Sequence, residues 1–163
     1  MMDDDHGMKQ YTKKNLLMMV LDNRLAVCRL DPKAPLPGWA AIDRPFTSIT
    51  RATDELSIII DESAVPDGIL CERGWRLIKV EGPFEFSLTG IVAAIGDPLR
   101  DAGVSILWIS TYDTDHLLVK QENLEKCVKA LENYGHEVRQ VFGPAAPAFS
   151  AERTKPVQTH RNY

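Results

Sequence analysis

Two short polar stretches carry the residues that could bind a ligand. The first runs from Gly82 to Gly90, joins a predicted strand to a predicted helix, and contains Ser87, Thr89 and Gly90. Free N–H groups at the start of a helix, with hydroxyl groups beside them, can bind an anion such as a carboxylate. The same hydroxyls could instead only cap the helix, because Ser and Thr accept hydrogen bonds from its first amides. This stretch therefore predicts an anion-binding loop or a plain helix cap.

The second stretch runs from Ser110 to Asp115 and supplies Thr111, Tyr112 and Asp115 at the end of a predicted strand. A carboxylate at a strand edge can accept charge-assisted hydrogen bonds from an ammonium or guanidinium group. The alternative is a solvated turn, a common place for Asp, and Asp113 is assigned to it. We expect the two stretches to meet in space and to form one ligand-recognition edge.

The rest of the sequence offers no convincing catalytic or metal-binding pattern. The cysteines are far apart and lack C-x-x-C spacing, so they predict buried thiols in a reducing compartment rather than a disulfide framework or a zinc site; they are Cys28, Cys71 and Cys127. His116 is expected on a strand, either hydrogen-bonded or exposed. Because no Ser/His/Asp arrangement, phosphate loop or dinucleotide fingerprint is evident, the sequence predicts a protein that is not an enzyme and uses no cofactor or metal.

Length and charge narrow the class of protein further. The 163 residues carry a formal net charge of −4, and 44% of them are hydrophobic. This length suits one ordinary domain or two small modules with a shared core. The negative balance predicts no nucleic-acid partner, because such proteins usually carry a basic surface. The apolar run Leu16–Leu21 is too short for a signal peptide or a membrane span, so we expect a cytoplasmic protein without a membrane partner.

β-strand signals dominate the N-terminal half. Leu16–Leu21 and Leu25–Leu30 are apolar runs separated by three polar residues, which indicates a hairpin or one long bent strand. Prolines then exclude a regular helix up to Pro37 and leave room for a short helical turn at Trp39–Ile42. Two further strands are predicted at 46–52 and 56–61, followed by a loop over 63–74.

The C-terminal half alternates strands with helices. Strands are predicted at 75–81, 104–111, 116–120 and 137–142, with helices from Leu88 to a stop at Gly103 and from Leu124 to a stop at Gly135. Pro98 is expected to kink the first helix, with Asp97 capping its second half. The order β-α-β-β-α-β is typical of a ferredoxin-like α+β fold, in which two helices pack on one face of an antiparallel sheet.

The predicted strand at 104–111 also bears on assembly. Its residues are apolar on both faces, which favours a central strand covered by the helices on one side and by a partner on the other. We therefore expect a homodimer or a higher homo-oligomer. Neighbouring core strands are further expected to end at opposite ends of a module, so that Thr89 of one module would meet Asp115 of another.

An internal repeat relates the two halves. Ser48–Ile58 aligns without gaps over Ile109–Val119, and both segments contain T-x-x-T-D-x-L. The N-terminal half is thus interpreted as a second copy that has lost most of its first helix, with Asp54 as the possible pseudo-equivalent of Asp115. Chance similarity between two β-hairpins is the alternative. The predicted organisation is a disordered N-terminus at 1–12, a degenerate module at 13–72, a complete module at 73–143 and a flexible tail at 144–163.

Several motifs resemble a known family. They are Phe46–Arg51, Asp54–Ser57, Gly82–Pro83, Thr89–Ile91, Pro98–Leu99, Gly103–Ile106, and above all S-T-Y-x-T-D-x-L-L-V from Ser110 to Val119. This set resembles the ACT domains, and within them the tandem ACT proteins related to the arginine sensors of the CASTOR family.

The resemblance implies an amino-acid-binding, allosteric regulatory protein built from tandem ferredoxin-like modules, the first of them degenerate. It implies a ligand held where modules meet, by Ser87, Thr89 and Gly90 in the loop and by Thr111, Tyr112 and Asp115 at the strand edge. This chain has two modules where the sensors have four, so a complete site would require a homodimer. The alternative is a dimerisation or protein-interaction module that keeps the fold without a ligand.

Overall fold

The computed structural model describes residues 15–82 and 90–141, which form one seven-stranded sheet and two α-helices. The strands are β1 (Leu17–Leu30), β2 (Ser48–Arg51), β3 (Leu56–Asp61), β4 (Cys71–Val80), β5 (Ile106–Ser110), β6 (Asp115–Lys120) and β7 (Glu137–Gln140). The helices are α1 (Ile91–Asp101) and α2 (Leu124–Tyr134). Short 3₁₀ turns occur at Gly38–Ala40, Glu62–Ala64 and Gln121–Asn123. The segments 1–12 and 144–163 lie outside the described residues, as do Ser87 and Thr89.

The two apolar runs near the N-terminus form one long strand, not a hairpin. β1 pairs with β4 along most of its length, and the register between them shifts between Val20 and Arg24. Its other edge is shared, because residues 17–20 pair with β7 and residues 25–30 pair with β3. Neighbours on both sides bond to the backbone of β1, so the polar segment at Asp22–Arg24 stays within the strand.

The sheet order supports the internal repeat. The strands run β2-β3-β1-β4-β6-β5, so that β1, β3 and β2 mirror β4, β6 and β5 across the centre. Leu25 pairs with the last residue of β3 and Trp75 with the last residue of β6, and Leu25 and Trp75 also pair with each other. The two halves are therefore related by a pseudo-two-fold axis near the Leu25–Trp75 pair. The first module has 3₁₀ turns where the second has helices, as expected for a degenerate copy.

The ferredoxin-like order of the C-terminal half is confirmed, with one addition. β4, α1, β5, β6, α2 and β7 follow each other along the chain, and β4, β6 and β5 pair antiparallel. β7 does not pair with β4. It pairs in parallel with the N-terminal half of β1, which lies between β7 and β4. The first module thus contributes a strand to the sheet that carries the helices of the second.

β4 begins earlier than predicted. The sequence suggested a loop up to Gly74, whereas the strand begins at Cys71. Gly74 has φ +78° inside this strand, and the register with β1 changes between Trp75 and Glu72. A glycine can adopt this backbone conformation without the clash that a side chain brings, and it allows a bulge here. The strand therefore continues past a residue that reads as a break in the sequence.

Alternating residues divide the sheet into two faces. The face that carries α1 and α2, here called the helix face, buries alternate residues of the central strands, such as Ile78, Val80, Leu117 and Val119, against Ile95, Leu99 and Leu131 of the helices. The opposite face carries a separate cluster that includes Leu25, Trp75, Leu77 and Leu118, with Phe46 and Ile109 packed against it. Both helices are thus on one face, as the sequence predicted.

A buried histidine completes the hydrogen bonding of α1 at Pro98. Proline lacks an N–H group, so the carbonyl of Ala94, one turn earlier, has no intrahelical donor. Nε2 of His136 lies 3.0 Å from that carbonyl oxygen, and the amide of Leu16 donates to Nδ1 of the same ring over 3.4 Å. These partners require a neutral ring with its proton on Nε2. α1 continues past Pro98 to Asp101, so the prediction of a second half-helix capped by Asp97 was wrong, and the Asp97 carboxylate instead binds Arg100.

β5 lies at the edge of the sheet, which corrects the prediction of a central strand. It pairs only with β6 among the described residues, and Leu107 is 36% exposed. Its inner apolar residues, Ile106 and Trp108, pack against the helix-face core, while Ile109 packs on the opposite face. The sequence showed apolar residues on both faces but could not show that one backbone edge is unpaired.

Candidate functional site

The ends of three strands meet at one end of the second module. Val80, the last residue of β4, pairs with Asp115, and Asp115 pairs with Ser110 at the end of β5. Both β4 and β5 run antiparallel to β6, so β4 and β5 point the same way and end together. The expectation that these strand ends lie at opposite ends of a module was therefore wrong. The loop that leads to α1 and the strand edge with Asp115 start from neighbouring positions.

Asp115 is held by a chain of hydrogen bonds. The Ser110 hydroxyl donates to the Asp115 carboxylate over 2.6 Å, and Nε1 of Trp108 donates to the Ser110 oxygen over 3.1 Å. Trp108 packs against the helix-face core, as do Leu117 and Val119. Asp115, Leu117 and Val119 are alternate residues of β6 and so point to the same face of the sheet. Asp115 therefore lies on the helix face. Ser110 was not predicted as a site residue, although its hydroxyl stands in the same S-T-Y motif as Thr111.

The Thr111 hydroxyl is used within the β5–β6 turn, next to the exposed Tyr112. The Thr111 hydroxyl donates to the carbonyl of Thr114 over 2.8 Å, and the amide of Thr111 donates to the same carbonyl over 2.9 Å. The hydroxyl therefore closes the β5–β6 turn from within. Tyr112 is 78% exposed at the tip of the hairpin. Of the three residues predicted at the strand edge, Asp115 is the one whose side chain lies beside Ser110 on the helix face.

Gly90 is the N-cap residue of α1. It has φ +90°, and no side chain caps the helix within the described residues. The first backbone bond of the helix runs from the Ala94 amide to the Gly90 carbonyl, so the amides of residues 91–93 have no intrahelical acceptor. A side chain at this backbone angle would be strained, which explains glycine here. These amides form the kind of group that the sequence predicted for an anion.

Asp54 is not the structural counterpart of Asp115. Arg51 pairs with Leu56 at the β2–β3 turn, and Ser110 pairs with Asp115 at the β5–β6 turn. When the two turns are superposed, Asp54 falls on Asp113. The gapless sequence alignment of Ser48–Ile58 with Ile109–Val119 was therefore offset by two residues. Because side chains alternate between the two faces of a strand, an offset of two keeps the apolar pattern, and the sequence does not reveal the error. Asp54 also lies at the β2 edge, the opposite end of the strand order.

His116, next to Asp115, faces the opposite side of the sheet and is buried. Its ring lies 5.0 Å from that of Phe46, a residue of the first module, and its Nδ1 has no hydrogen-bond partner among the described residues. Burial lowers the pKa of His116, and the charge of Lys79 lowers it further, while Asp115 and Glu81 act in the other direction. His116 is therefore buried against Phe46, and the expectation of a hydrogen-bonded or exposed ring was wrong. No pattern in the sequence indicates that His116 and Phe46 are in contact.

The described residues show no grouping of His, Cys, Asp and Glu side chains that could hold a metal ion. Within those same ranges, neither α-helix has the length and apolar character needed to cross a membrane.

Two family models match this chain. One, described as an ACT domain, matches residues 70–133. The other, described as an N-terminal domain, matches residues 23–68. The boundary between the matches falls just before β4, close to the boundary that the repeat suggested.

The chain is also similar to individual proteins over most of its length. The crystal structure of protein Atu0741 from Agobacterium tumefaciens is 36% identical with a TM-score of 0.75, and the match covers 81% of this chain and 98% of that one. The cytosolic arginine sensor for mTORC1 subunit 1 of Homo sapiens is 37% identical over an alignment of 140 residues, and the match covers 68% of this chain and 43% of that protein. The chain thus spans less than half the length of this curated relative. Aspartate kinase from Clostridium acetobutylicum shares the fold at 17% identity, with a TM-score of 0.54 over 76% of this chain and 36% of that one.

Proposed function

This chain belongs to the ACT-domain family, and from that premise we propose that it is a regulatory protein that binds an amino acid or a close analogue. The proposed activity is binding without catalysis. The human relative is named as a cytosolic arginine sensor, and we extend an amino-acid ligand and a cytoplasmic location to this chain as parts of the proposal.

The observation that carries the proposal is the position of Asp115 relative to the start of α1. The carboxylate and the amides of residues 91–93, which have no intrahelical acceptor, belong to the same face and the same end of the sheet. A free amino acid carries a carboxylate and an ammonium group a short distance apart. The helix start would bind the carboxylate, aided by its positive dipole end, and Asp115 would bind the ammonium group by a charge-assisted hydrogen bond.

The ligand would lie at the β5 edge, where a second copy of the chain could reach it. The backbone of β5 is paired on one side only among the described residues, and Tyr112 projects from the adjacent turn. We propose a homodimer that completes the site through this edge. Ligand binding would then change the relative position of the two copies, because the ligand would contact both.

Asp115→Asn tests the ligand site. Asn keeps the size of the side chain and an acceptor for Ser110 but removes the charge, so we expect loss of amino-acid binding with an unchanged fold. A thermal-shift screen against the twenty amino acids is the measurement, since a ligand at 100 times its Kd stabilises the native state by about 2.7 kcal/mol.

Asp113→Asn is the matched control, because Asp113 is an exposed carboxylate two residues away in the same turn. It should leave binding unchanged. Absence of any stabilisation of the wild type by millimolar amino acids would contradict the proposal.

The second candidate is an interaction module that needs no ligand. The unpaired β5 edge and the exposed Leu107 favour it, because an exposed strand edge can pair with another chain. Asp115→Ala and Thr111→Ala distinguish the candidates. If both variants retain full self-association or partner binding, and the wild type responds to no amino acid, the interaction module is the better description.

A further inference from the structure

Cys28 and Cys71 face each other across the two central strands. They are directly paired in the antiparallel register of β1 and β4, although 43 positions separate 28 from 71 in the sequence. The amide of Arg29 donates to the carbonyl of Leu70, so the neighbouring Cys28–Cys71 pair is of the non-hydrogen-bonded type. Such pairs have Cα atoms about 4.5 Å apart. This separation is within the range of roughly 4.4–6.8 Å that disulfides span.

The two thiols also lie in contact and differ in accessibility. The thiol of Cys71 is close enough to that of Cys28 to raise its pKa, and both cysteines are free. Cys28 is buried, whereas Cys71 is partly exposed at the start of β4. Burial raises the pKa of Cys28 to about 11, with a further rise from Cys71, while the charge of Arg73 acts to lower it. A reagent in solution therefore reaches Cys71 first, because Cys71 is the more exposed of the two.

We propose that Cys28 and Cys71 form a reversible disulfide that links the first module to the second. This proposal does not depend on the ligand or on the β5 edge. It goes beyond the expectation from sequence of buried thiols in a reducing compartment, which rested on the wide spacing of the cysteines. Register, side-chain contact and unequal exposure support it together.

A glutathione-type disulfide is the proposed oxidant, and the exchange is balanced. The Cys71 thiolate attacks one sulfur of the oxidant, which forms a mixed disulfide and releases one glutathione thiolate. The Cys28 thiol then loses its proton and attacks the sulfur of Cys71, which releases the second glutathione. Two protein thiols are oxidised, the oxidant's disulfide is reduced to two thiols, and the two protons pass to the released glutathiones.

The link would join β1 to β4 on one side of the pseudo-two-fold axis. The enclosed chain contains β2 and β3, the hairpin of the degenerate module. Oxidation would therefore restrict separation of this hairpin and β1 from the second module. We expect the bond to respond to the ratio of oxidised to reduced glutathione, because thiol–disulfide exchange with glutathione is reversible.

The experiment uses the full chain, equilibrated over a series of oxidised-to-reduced glutathione ratios and quenched with acid. Free thiols, counted in denaturant, should fall from three to one, and the intact mass should show the loss of two hydrogen atoms. Peptide mapping should identify a link between the peptides of residues 28 and 71. Dithiothreitol should restore all three thiols.

Cys71→Ala and Cys127→Ala are the paired variants. The first should form no intramolecular disulfide, while the second should lose both of its thiols together, as the wild type loses two of three. The oxidised wild type should also unfold at a higher temperature than the reduced form, with no such shift for Cys71→Ala. Retention of three free thiols at every ratio, a stable glutathione adduct on Cys71 beside a free Cys28, or disulfides only between chains would overturn the proposal.

Discussion

The buried ring of His116 is one of the contacts between the two modules. It belongs to β6 of the second module and contacts Phe46, which precedes β2 of the first. The charged groups near it are Lys79 of β4, Glu81 just after β4, and Asp115 of its own strand. Lys79 also binds the Glu81 carboxylate at 3.1 Å, which keeps this ion pair beside the ring. Protonation of His116 would place a charge in a buried position where none of the described residues offers Nδ1 an acceptor.

The first prediction concerns the pH dependence of stability. Because the pKa of His116 is lowered in the folded state, the unfolded chain binds more protons below the ordinary His pKa near 6.5. Stability contributed by the neutral ring should thus be present above that pH and decline as the pH falls. Each unit by which a pKa is lowered corresponds to about 1.4 kcal/mol. Urea unfolding at several pH values between about 7.5 and 5 measures this decline in the free energy of unfolding.

His116→Phe provides the comparison. Phe keeps a ring against Phe46 but cannot take up a proton, so its stability relative to the wild type should rise as the pH is lowered. A difference between the two proteins that stays constant with pH would show that His116 does not titrate in this way.

At the residue scale, the sequence predicted which residue types could bind a ligand, and binding by those residues stays a prediction. Asp115 and Gly90 were identified because their types fit a ligand that bears both charges, and the structure puts them at a common end of the sheet. Thr111 was identified by the same motif, yet its hydroxyl is used inside the turn. Ser110, His116 and the Cys28–Cys71 pair depend on which residues face each other across strands, and this register is not visible in one sequence.

At the scale of elements, α1 depends on a side chain from outside the helix. Pro98 removes the donor that Ala94 would otherwise have, and His136 supplies it from the residue before β7. The same ring accepts from Leu16 just before β1. One imidazole thus joins a helix to two strand starts. The sequence predicted a kink at Pro98 because proline usually disturbs a helix, but it could not identify the replacement donor.

The second prediction is a double-mutant cycle on this contact. His136→Leu should destabilise the protein, because each buried backbone group left without a partner costs about 1–3 kcal/mol. In a Pro98→Ala background, residue 98 regains an N–H that can donate to Ala94, so the same change should cost less. Chemical denaturation of the four proteins should give a coupling energy of about 0.5–3 kcal/mol. Equal losses in both backgrounds would show that the ring does not replace the missing helix bond.

At the scale of the whole molecule, the two outer strands offer a matched comparison. β5 and β2 occupy equivalent edges of the pseudo-symmetric sheet, with Leu107 36% exposed on one and Ile49 44% exposed on the other. The proposed homodimer uses the β5 edge. A charged side chain on an edge strand is a common means by which proteins prevent edge pairing.

The third prediction follows from this difference between edges. Leu107→Lys should shift the protein from dimer to monomer, while Ile49→Lys should leave the dimer intact. Light scattering over a concentration series is the measurement, with circular dichroism to show that both variants fold. If the wild type is a monomer throughout, or if Ile49→Lys is the variant that dissociates, the β5 edge is not the interface.

The tandem architecture was predictable, because a strand–turn–strand pattern recurs in both halves of the chain, although the shared motif aligned the halves two residues out of register. The position of β1 in the sheet could not be predicted. Its length suggested either two strands or a bend, and nothing in its apolar pattern shows that one half borders β7 and the other half β3. Alternation along a strand reports which face is buried, but it does not report which strands are the neighbours.

The position of β1 also bears on the order in which the chain can fold during synthesis. The N-terminal half of β1 is made early, while its parallel partner β7 follows after about 120 residues, the separation of Leu16 and His136. Until β7 leaves the ribosome, one edge of that half remains open, and the second module lacks its outermost strand. Both modules should therefore reach their final form only when the last described strand is in place, so a nascent chain stopped before Glu137 is expected to be the aggregation-prone species.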